Sequence, residues 1–214
     1  MTARISYSSG LRVLTFEYRK APEDPYPAAN EDALTAYYWL KEAGYSAGQI
    51  IFGGDSVGAT LALMTLITLR DREEALPAGA FLISPHADLV HLDGDSYVTN
   101  RENDPTGSLE GNRRLIAAYL GSWQGEPPEI LSPLKMNLAA LPPLLIQVGS
   151  LEVLLSDAVR LSEWAKQAGV DVTMEIWDNM WSVFHFLAYM LPEAEQAIRN
   201  IGAFNKAKIL DCNR

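Results

Sequence analysis

Gln49-Ile50-Ile51-Phe52-Gly53-Gly54-Asp55-Ser56-Val57-Gly58-Ala59-Thr60 is the stretch that decides the fold. Apolar β-formers run into a glycine pair, Gly54-Asp55-Ser56-Val57-Gly58 fits G-x-S-x-G, and Leu61-Ala62-Leu63-Met64 continues as a helix. A serine between two glycines at a strand-to-helix turn can hold a strained backbone and lift its hydroxyl above a sheet. The flanking glycines are expected because a Cβ at either one would collide as the chain reverses. The following helix offers unpaired N–H groups and a positive dipole end next to the serine, where an oxyanion can develop. A tight turn built for packing alone would carry the same small residues. The strand before and the helix after favour a nucleophile elbow with Ser56 as nucleophile.

Outward from the elbow, apolar runs predict strands near residues 11–18, 49–53, 80–84, 144–149 and 172–177. Arg19 to Pro27 carries three prolines and cannot be regular structure. Helices are predicted over about 28–43, from the elbow to Arg72, and over about 109–119, 156–168 and 192–204. A ragged helix end over Met1 to Ser9 closes at Gly10. Strands joined by helical crossovers imply an α/β fold with a mainly parallel sheet flanked by helices. The segment from about 86 to 128, rich in Asp, Asn, Gly and Ser, is too long for a plain connection and reads as a lid-like insert.

The 214 residues, 48% of them hydrophobic, make a single domain over 1–214 with a sizeable core. The net charge of -10, from 27 acidic against 17 basic residues, argues against nucleic acid or an anionic membrane as partner. The single cysteine, Cys212, excludes an internal disulfide and sits in the tail. No spacing of histidines and carboxylates suggests a metal, and no G-x-G-x-x-G or P-loop is present, so no cofactor is expected. Met1 to Tyr7 lacks the features of a signal peptide, and Ala59 to Leu69 is too short to span a bilayer. A soluble, cytoplasmic protein without a membrane span is the expectation.

Glu17-Tyr18-Arg19-Lys20-Ala21-Pro22-Glu23-Asp24-Pro25-Tyr26-Pro27-Ala28-Ala29 resembles the proline-rich signature of the hormone-sensitive-lipase family of α/β hydrolases. Gly54-Asp55-Ser56-Val57-Gly58 is similar to that family's G-D-S-A-G elbow. Ser132-Pro133-Leu134, Leu141 to Gly149 and Val170 to Trp177 also read like the family, so the resemblance runs along essentially the whole chain. It implies an α/β-hydrolase fold and ester hydrolysis of a lipophilic carbonyl substrate through Ser56. Three departures accompany it. No H-G-G-G segment stands upstream of the proline-rich signature, so the family's oxyanion loop and its strand, with the other N-terminal strands, are missing from this chain. Leu151, followed by Glu152, stands where the resemblance places the triad aspartate, and Ser182 stands where it places the histidine.

A serine hydroxyl needs a base, and a carboxylate must orient that base. Ser182 cannot accept a proton near neutral pH, and Leu151 cannot hydrogen-bond. Three substitutes are candidates. His185 and Glu152 are each displaced by a few residues. On a helix a three-residue shift moves a side chain roughly 5 Å along the axis, beyond hydrogen-bond reach, so His185 is as readily a packed histidine among Phe184, Phe186 and Leu187. His86, just past the 80–84 strand, is an alternative base with Asp88 as orienter, or a loop residue at the pocket rim. His91 shows no such context and reads as solvated. Asp55, Val57, Leu151, Trp181 and Ser182 are expected around the substrate, and Trp123, Trp177, Trp181, Tyr119 and Met180 can line an apolar cavity. The chain then reads either as a feeble or redirected hydrolase or as a pseudoenzyme binding an apolar small molecule or a protein. A sheet lacking its usual covering strands implies exposed edges, and hence a homodimer through residues 1–27.

Overall fold

The computed structural model describes residues 1–211, so Cys212 lies outside the described residues. In chain order the elements are α1 (Thr2–Ser9), α2 (Ala28–Glu42), β1 (Ile51–Asp55), α3 (Val57–Asp71), β2 (Gly79–Ile83), α4 (Ser96–Thr99), α5 (Leu109–Leu120), β3 (Leu144–Gly149), α6 (Leu155–Gln167), β4 (Val172–Trp177) and α7 (Pro192–Asp211). The four strands form one parallel sheet in the order β1-β2-β3-β4. Each crossover carries a helix, as parallel neighbours require.

Alternation along the strands divides the core between two faces. Ala80, Leu82, Leu144, Ile146 and Val148 pack against Ala59, Leu63, Leu66 and Ile67 of α3 and Ala158, Leu161 and Ala165 of α6. Ile83 and Leu145 point the other way, onto Ala194, Ala197, Ile198 and Ile201 of α7, with Ile5 of α1 behind them. Full burial of a Leu or Ile side chain stabilises by about 1.5–3 kcal/mol. These two layers therefore dominate the fold. A third group, Tyr37, Ile50 and Leu69, seats α2 against α3.

The expected strand over 11–18 does not form. Those residues have no regular structure and lie outside the sheet, with Val13, Leu14 and Phe16 each more than two-fifths exposed. A strand signal of alternating apolar residues needs a ladder partner to be realised. None of the described residues supplies one, and β1 is left at the sheet's edge. The other four strands appear, the elbow strand two residues later than expected, and the final helix extends beyond residue 204 to Asp211.

The segment after β2 is tied down over its first half. Asp104 Oδ2 accepts from Val153 N–H at 2.9 Å, while its Oδ1 accepts from the N–H groups of Thr106 (3.0 Å) and Gly107 (3.1 Å). Asn100 Nδ2 donates to the carbonyls of Ser150 (3.0 Å) and Glu152 (2.8 Å), and Ser96 Oγ to that of Val153 (2.6 Å). The segment is thereby stitched to the loop that follows β3.

The α1–α7 crossing depends on Gly202, where an added Cβ would lie 2.2 Å from Ser8 Oγ and 2.7 Å from the Ser8 carbonyl carbon. Gly202→Ala is expected to push the helices apart and cost about 1–3 kcal/mol. Chemical denaturation reads the loss, and amide exchange should rise first in α1. An unchanged midpoint would mean that α1 does not belong to the cooperative core.

Candidate active site

Ser56 occupies the turn between β1 and α3 with φ 53° and ψ -122°, a region that residues with a side chain adopt only under constraint. The constraint is visible. Ser56 N–H donates to Ile83 C=O at 2.9 Å, and the Ser56 carbonyl accepts from Ala59 N–H (3.1 Å) and Thr60 N–H (3.3 Å). A Cβ on Gly54 would meet the Gly58 carbonyl carbon and oxygen at 2.3 Å. A Cβ on Gly58 would meet nothing within 4 Å, so only the first glycine is sterically required, contrary to the expectation from sequence. Val57 is the first residue of α3, where backbone N–H groups lack helical partners and the dipole favours negative charge.

Beside Ser56 lies a cavity of about 80 Å³, lined by Val57, His86, Leu89 and, from α5, Asn112, Ile116 and Tyr119. His86 comes from the turn after β2 and is held through its own carbonyl, which accepts from Thr60 Oγ1 at 2.7 Å. Burial pushes its imidazole down to about 4, so it is neutral at pH 7. The Asp88 carboxylate does not orient it. Asp88 Oδ2 pairs with His91 Nδ1 at 2.8 Å, and Oδ1 accepts from the N–H groups of Val90 (2.8 Å) and His91 (2.9 Å). His91 is therefore no free solvated residue, and its Nε2 also meets Lys135 Nζ at 2.8 Å. His86 Nδ1 is buried with no partner.

The loops after β3 and β4 meet at the same edge of the sheet, where α/β folds place their ligands. Ser150 N–H donates to Trp177 C=O and Leu151 N–H to Met180 C=O, each at 2.9 Å. Gly149 allows this approach, because a Cβ there would sit 2.2 Å from the Met180 carbonyl oxygen. Glu152 is fully buried between them. Its Oε1 accepts from Gly149 N–H at 2.6 Å and Ser84 Oγ at 2.8 Å, and Ser84 Oγ in turn accepts from Val183 N–H at 3.0 Å. Desolvation raises the Glu152 carboxyl to about 8 against the opposing pull of the Gly149 N–H, Ser84 and Ser182. Its second oxygen, Oε2, has no hydrogen-bond partner. The carboxyl beside Ser182 is thus that of Glu152, one residue past the position the resemblance assigns to the acid.

The other expected residues scatter. His185 is wholly buried, pairs through Nε2 with Gln147 Oε1 at 2.9 Å, and lies against Phe184 with ring centroids 4.1 Å apart. Burial lowers its imidazole to about 3. It packs on the α7 side and does not join the cavity. Trp177, Trp181 and Met180 belong to that same α7 cluster, and Trp123 stacks edge-on to Tyr26 at 5.5 Å, so of the expected aromatic lining only Tyr119 reaches the cavity. Asp55 ends β1, its carboxyl raised by burial. The contributions of Asn112 and Ile116 were not read from sequence. Their spacing on α5 was available, but nothing local says which helix faces the elbow. No group of three or more His, Cys, Asp or Glu side chains suited to a metal occurs among the described residues.

A parallel sheet with a strained serine at the end of β1, loops converging at the strands' carboxyl ends, and an apolar cavity beside the serine define an α/β hydrolase. Residues 1–186 match the family described by the alpha/beta hydrolase fold. The chain is 42% identical over 204 residues to an acetyl-hydrolase of Streptomyces hygroscopicus, covering 95% of this chain and 68% of the relative. It is 38% identical over 203 residues to an esterase of Acinetobacter venetianus, covering 94% and 66%. The crystal structure of an esterase from the bacterial hormone-sensitive lipase family superposes with a TM-score of 0.92 at 43% identity, over 96% of this chain and 69% of that one. The chain belongs to the hormone-sensitive-lipase family of α/β hydrolases. It spans about two thirds of the length of these relatives. No helix among the described residues is long and apolar enough to cross a membrane.

Glu152 also sets a pH signature. Its folded pKa of about 8 lies above the ordinary 4.5, so between those values the native state holds a proton that the unfolded chain has released. Stability therefore falls as pH rises through this window. His86 and His185 act oppositely below it, since the unfolded chain protonates them near 6.5 and the native state only near 4 and 3. Their contribution grows as pH rises to about 6.5. Glu152→Gln should remove the falling limb alone. Its stability relative to the parent is expected to climb between pH 5 and 8 by more than about 1 kcal/mol, read from denaturant midpoints. A flat difference would show that Glu152 ionises normally.

Proposed function

We propose that this chain is a carboxylic-ester hydrolase of its family that attacks a lipophilic carbonyl substrate through Ser56, and that its own hydrolytic rate is feeble. The observation that carries this is the strained elbow itself, which presents Ser56 to an apolar cavity at the N-terminus of α3. Ser56 Oγ adds to the ester carbonyl, the developing oxyanion is received by the Val57 N–H, and the adduct collapses by expelling the alcohol, which carries away the serine proton; water then hydrolyses the acyl-Ser56 ester to release the acid. The weak link is the proton. Ser182 cannot take it, Glu152 is held neutral at pH 7, and the neutral imidazole of His86 has a pKa too low for an efficient base. Loss of one member of such a unit costs several powers of ten in rate. The same facts support a second reading, a binding protein for an apolar small molecule.

Fluorophosphonate labelling separates the two, because it needs an activated hydroxyl. Slow labelling confined to Ser56, with p-nitrophenyl ester turnover far below that of ordinary esterases, is expected. Rapid turnover abolished by Ser56→Ala would instead mean that His86 serves as base.

Ser182→His is expected to raise turnover, since Glu152 already stands beside residue 182 to orient an imidazole. Adding Leu151→Asp should contribute little further. If both variants stay as slow as the parent, the Glu152 carboxyl does not serve position 182.

The unpaired β1 edge and the exposed Val13, Leu14 and Phe16 favour a two-fold dimer through the N-terminal segment. Light scattering is expected to give twice the chain mass at micromolar concentration, and a stable monomer would overturn this.

A further inference from the structure

Besides Ser56 itself and Tyr119, whose hydroxyl is committed to Asn30, the cavity has two polar side chains, His86 and Asn112. Both are more than nine-tenths buried. His86 Nδ1 has no partner, and no described residue bonds the other ring nitrogen. Asn112 Nδ2 donates to Tyr97 Oη at 3.3 Å, which leaves its carbonyl oxygen to accept another bond. A buried polar group without a partner costs about 1–3 kcal/mol. Such groups persist in a native structure when something outside the protein satisfies them.

A proton-transfer role does not account for His86. The carboxylate nearest in sequence, Asp88, is committed to His91, and nothing fixes the tautomer of His86 as an orienting carboxylate would. What remains is a neutral imidazole, with one donor and one acceptor, at the wall of a small cavity next to the reacting serine.

The cavity's size limits what can reach it. Against an apolar cavity of about 150 Å³ that takes the six carbons of benzene, 80 Å³ holds roughly three heavy atoms. That fits the part of a short acyl chain beyond its carbonyl. A hydroxyl is the substituent that suits these walls, because it donates and accepts at once. It matches imidazole in either tautomer, and where it accepts from the ring N–H its own proton is free for the Asn112 carbonyl.

We propose that His86 is a specificity-determining residue, with Asn112 in support, that selects substrates whose short acyl chain ends in a hydroxyl. This rests on the reading of Ser56 as the reacting group. Sites built to hydrogen-bond a substrate hydroxyl discriminate strongly against the analogue lacking it, because the site's own polar groups are then stranded.

The test is a pair of ligands equal in size. Methyl 3-hydroxypropanoate and methyl butanoate differ by OH in place of CH₃. Binding to the Ser56→Ala protein, which cannot turn either over, is followed by NMR titration of the histidine ring signals. The hydroxy ester is expected to bind about tenfold more tightly and to move the His86 resonances. His86→Phe should erase the preference while still binding methyl butanoate. His86→Gln, which keeps a donor and an acceptor, should retain most of it, and Asn112→Leu should weaken it should His86→Phe fail to fold. Equal affinities in the parent, no binding of either ester at its solubility limit, or a preference that survives His86→Phe overturns the proposal. Fluorophosphonate labelling of the parent reports on Ser56 alone, so failure of the nucleophile assignment is seen separately.

Discussion

Everything in this molecule is positioned from one backbone constraint, the conformation of Ser56. Its φ of 53° is one that L-residues avoid, at a cost of order 1–3 kcal/mol. Two contacts offset that cost. The bare Gly54 allows the Gly58 carbonyl to close over it, and Ser56 N–H reaches across to the Ile83 carbonyl at the end of β2. The elbow thus joins β1, β2 and α3 in one stroke. Leu63, Leu66 and Ile67 then carry α3 down onto β2 and β3, so the serine is fixed by the most buried part of the core. A side chain placed this way does not depend on the mobility of the loops around it.

A second constraint gathers the far side of the site. Glu152 is buried, neutral at pH 7 and hydrogen-bonded by Gly149 and Ser84, while Ser84 receives Val183 N–H. Ser84 and Val183 both take positive φ, at 47° and 52°, the latter unusual for a β-branched residue. Two loops therefore spend conformational strain to meet a third around one carboxyl. The arrangement is self-sufficient through Oε1. Its second oxygen has no hydrogen-bond partner. The loops after β2, β3 and β4 are thereby held together at the carboxyl ends of the strands, the edge at which Ser56 also stands.

How much of this was legible in the sequence follows from where each signal resides. The elbow, the four parallel strands and their helices are local patterns, and Gly54, Ser56 and the apolar periods reveal them directly. The strand expected over 11–18 carried the same alternation, but a strand is a relation between two segments and its partner is not among the described residues. Nor could spacing say which carboxylate His86 meets. Asp88 sits two residues away in sequence, yet the turn sends it to His91. Nor does a motif say which way neighbouring side chains of a loop turn: Glu152, one residue past Leu151, is the carboxyl that is buried between the loops after β3 and β4. The role of α5 was hidden because its apolar stripe is compatible with facing any neighbour.

The segment between β2 and β3 shows how an enclosing element can be both fixed and yielding. Its first half is anchored through buried Ser96 and Asp104 to backbone groups of the loop after β3, so it cannot shift without breaking several buried hydrogen bonds. The second half, α5, buries only Asn112 completely and leaves Leu115 two-thirds exposed, though Ile116 and Tyr119 wall the cavity. Free energy of local opening scales with what is buried, and within this segment is therefore lower along α5 than along the anchored half. The strongly held half thereby preserves the loop that carries Glu152, while the weakly held half contributes Asn112, Ile116 and Tyr119 to the wall beside Ser56.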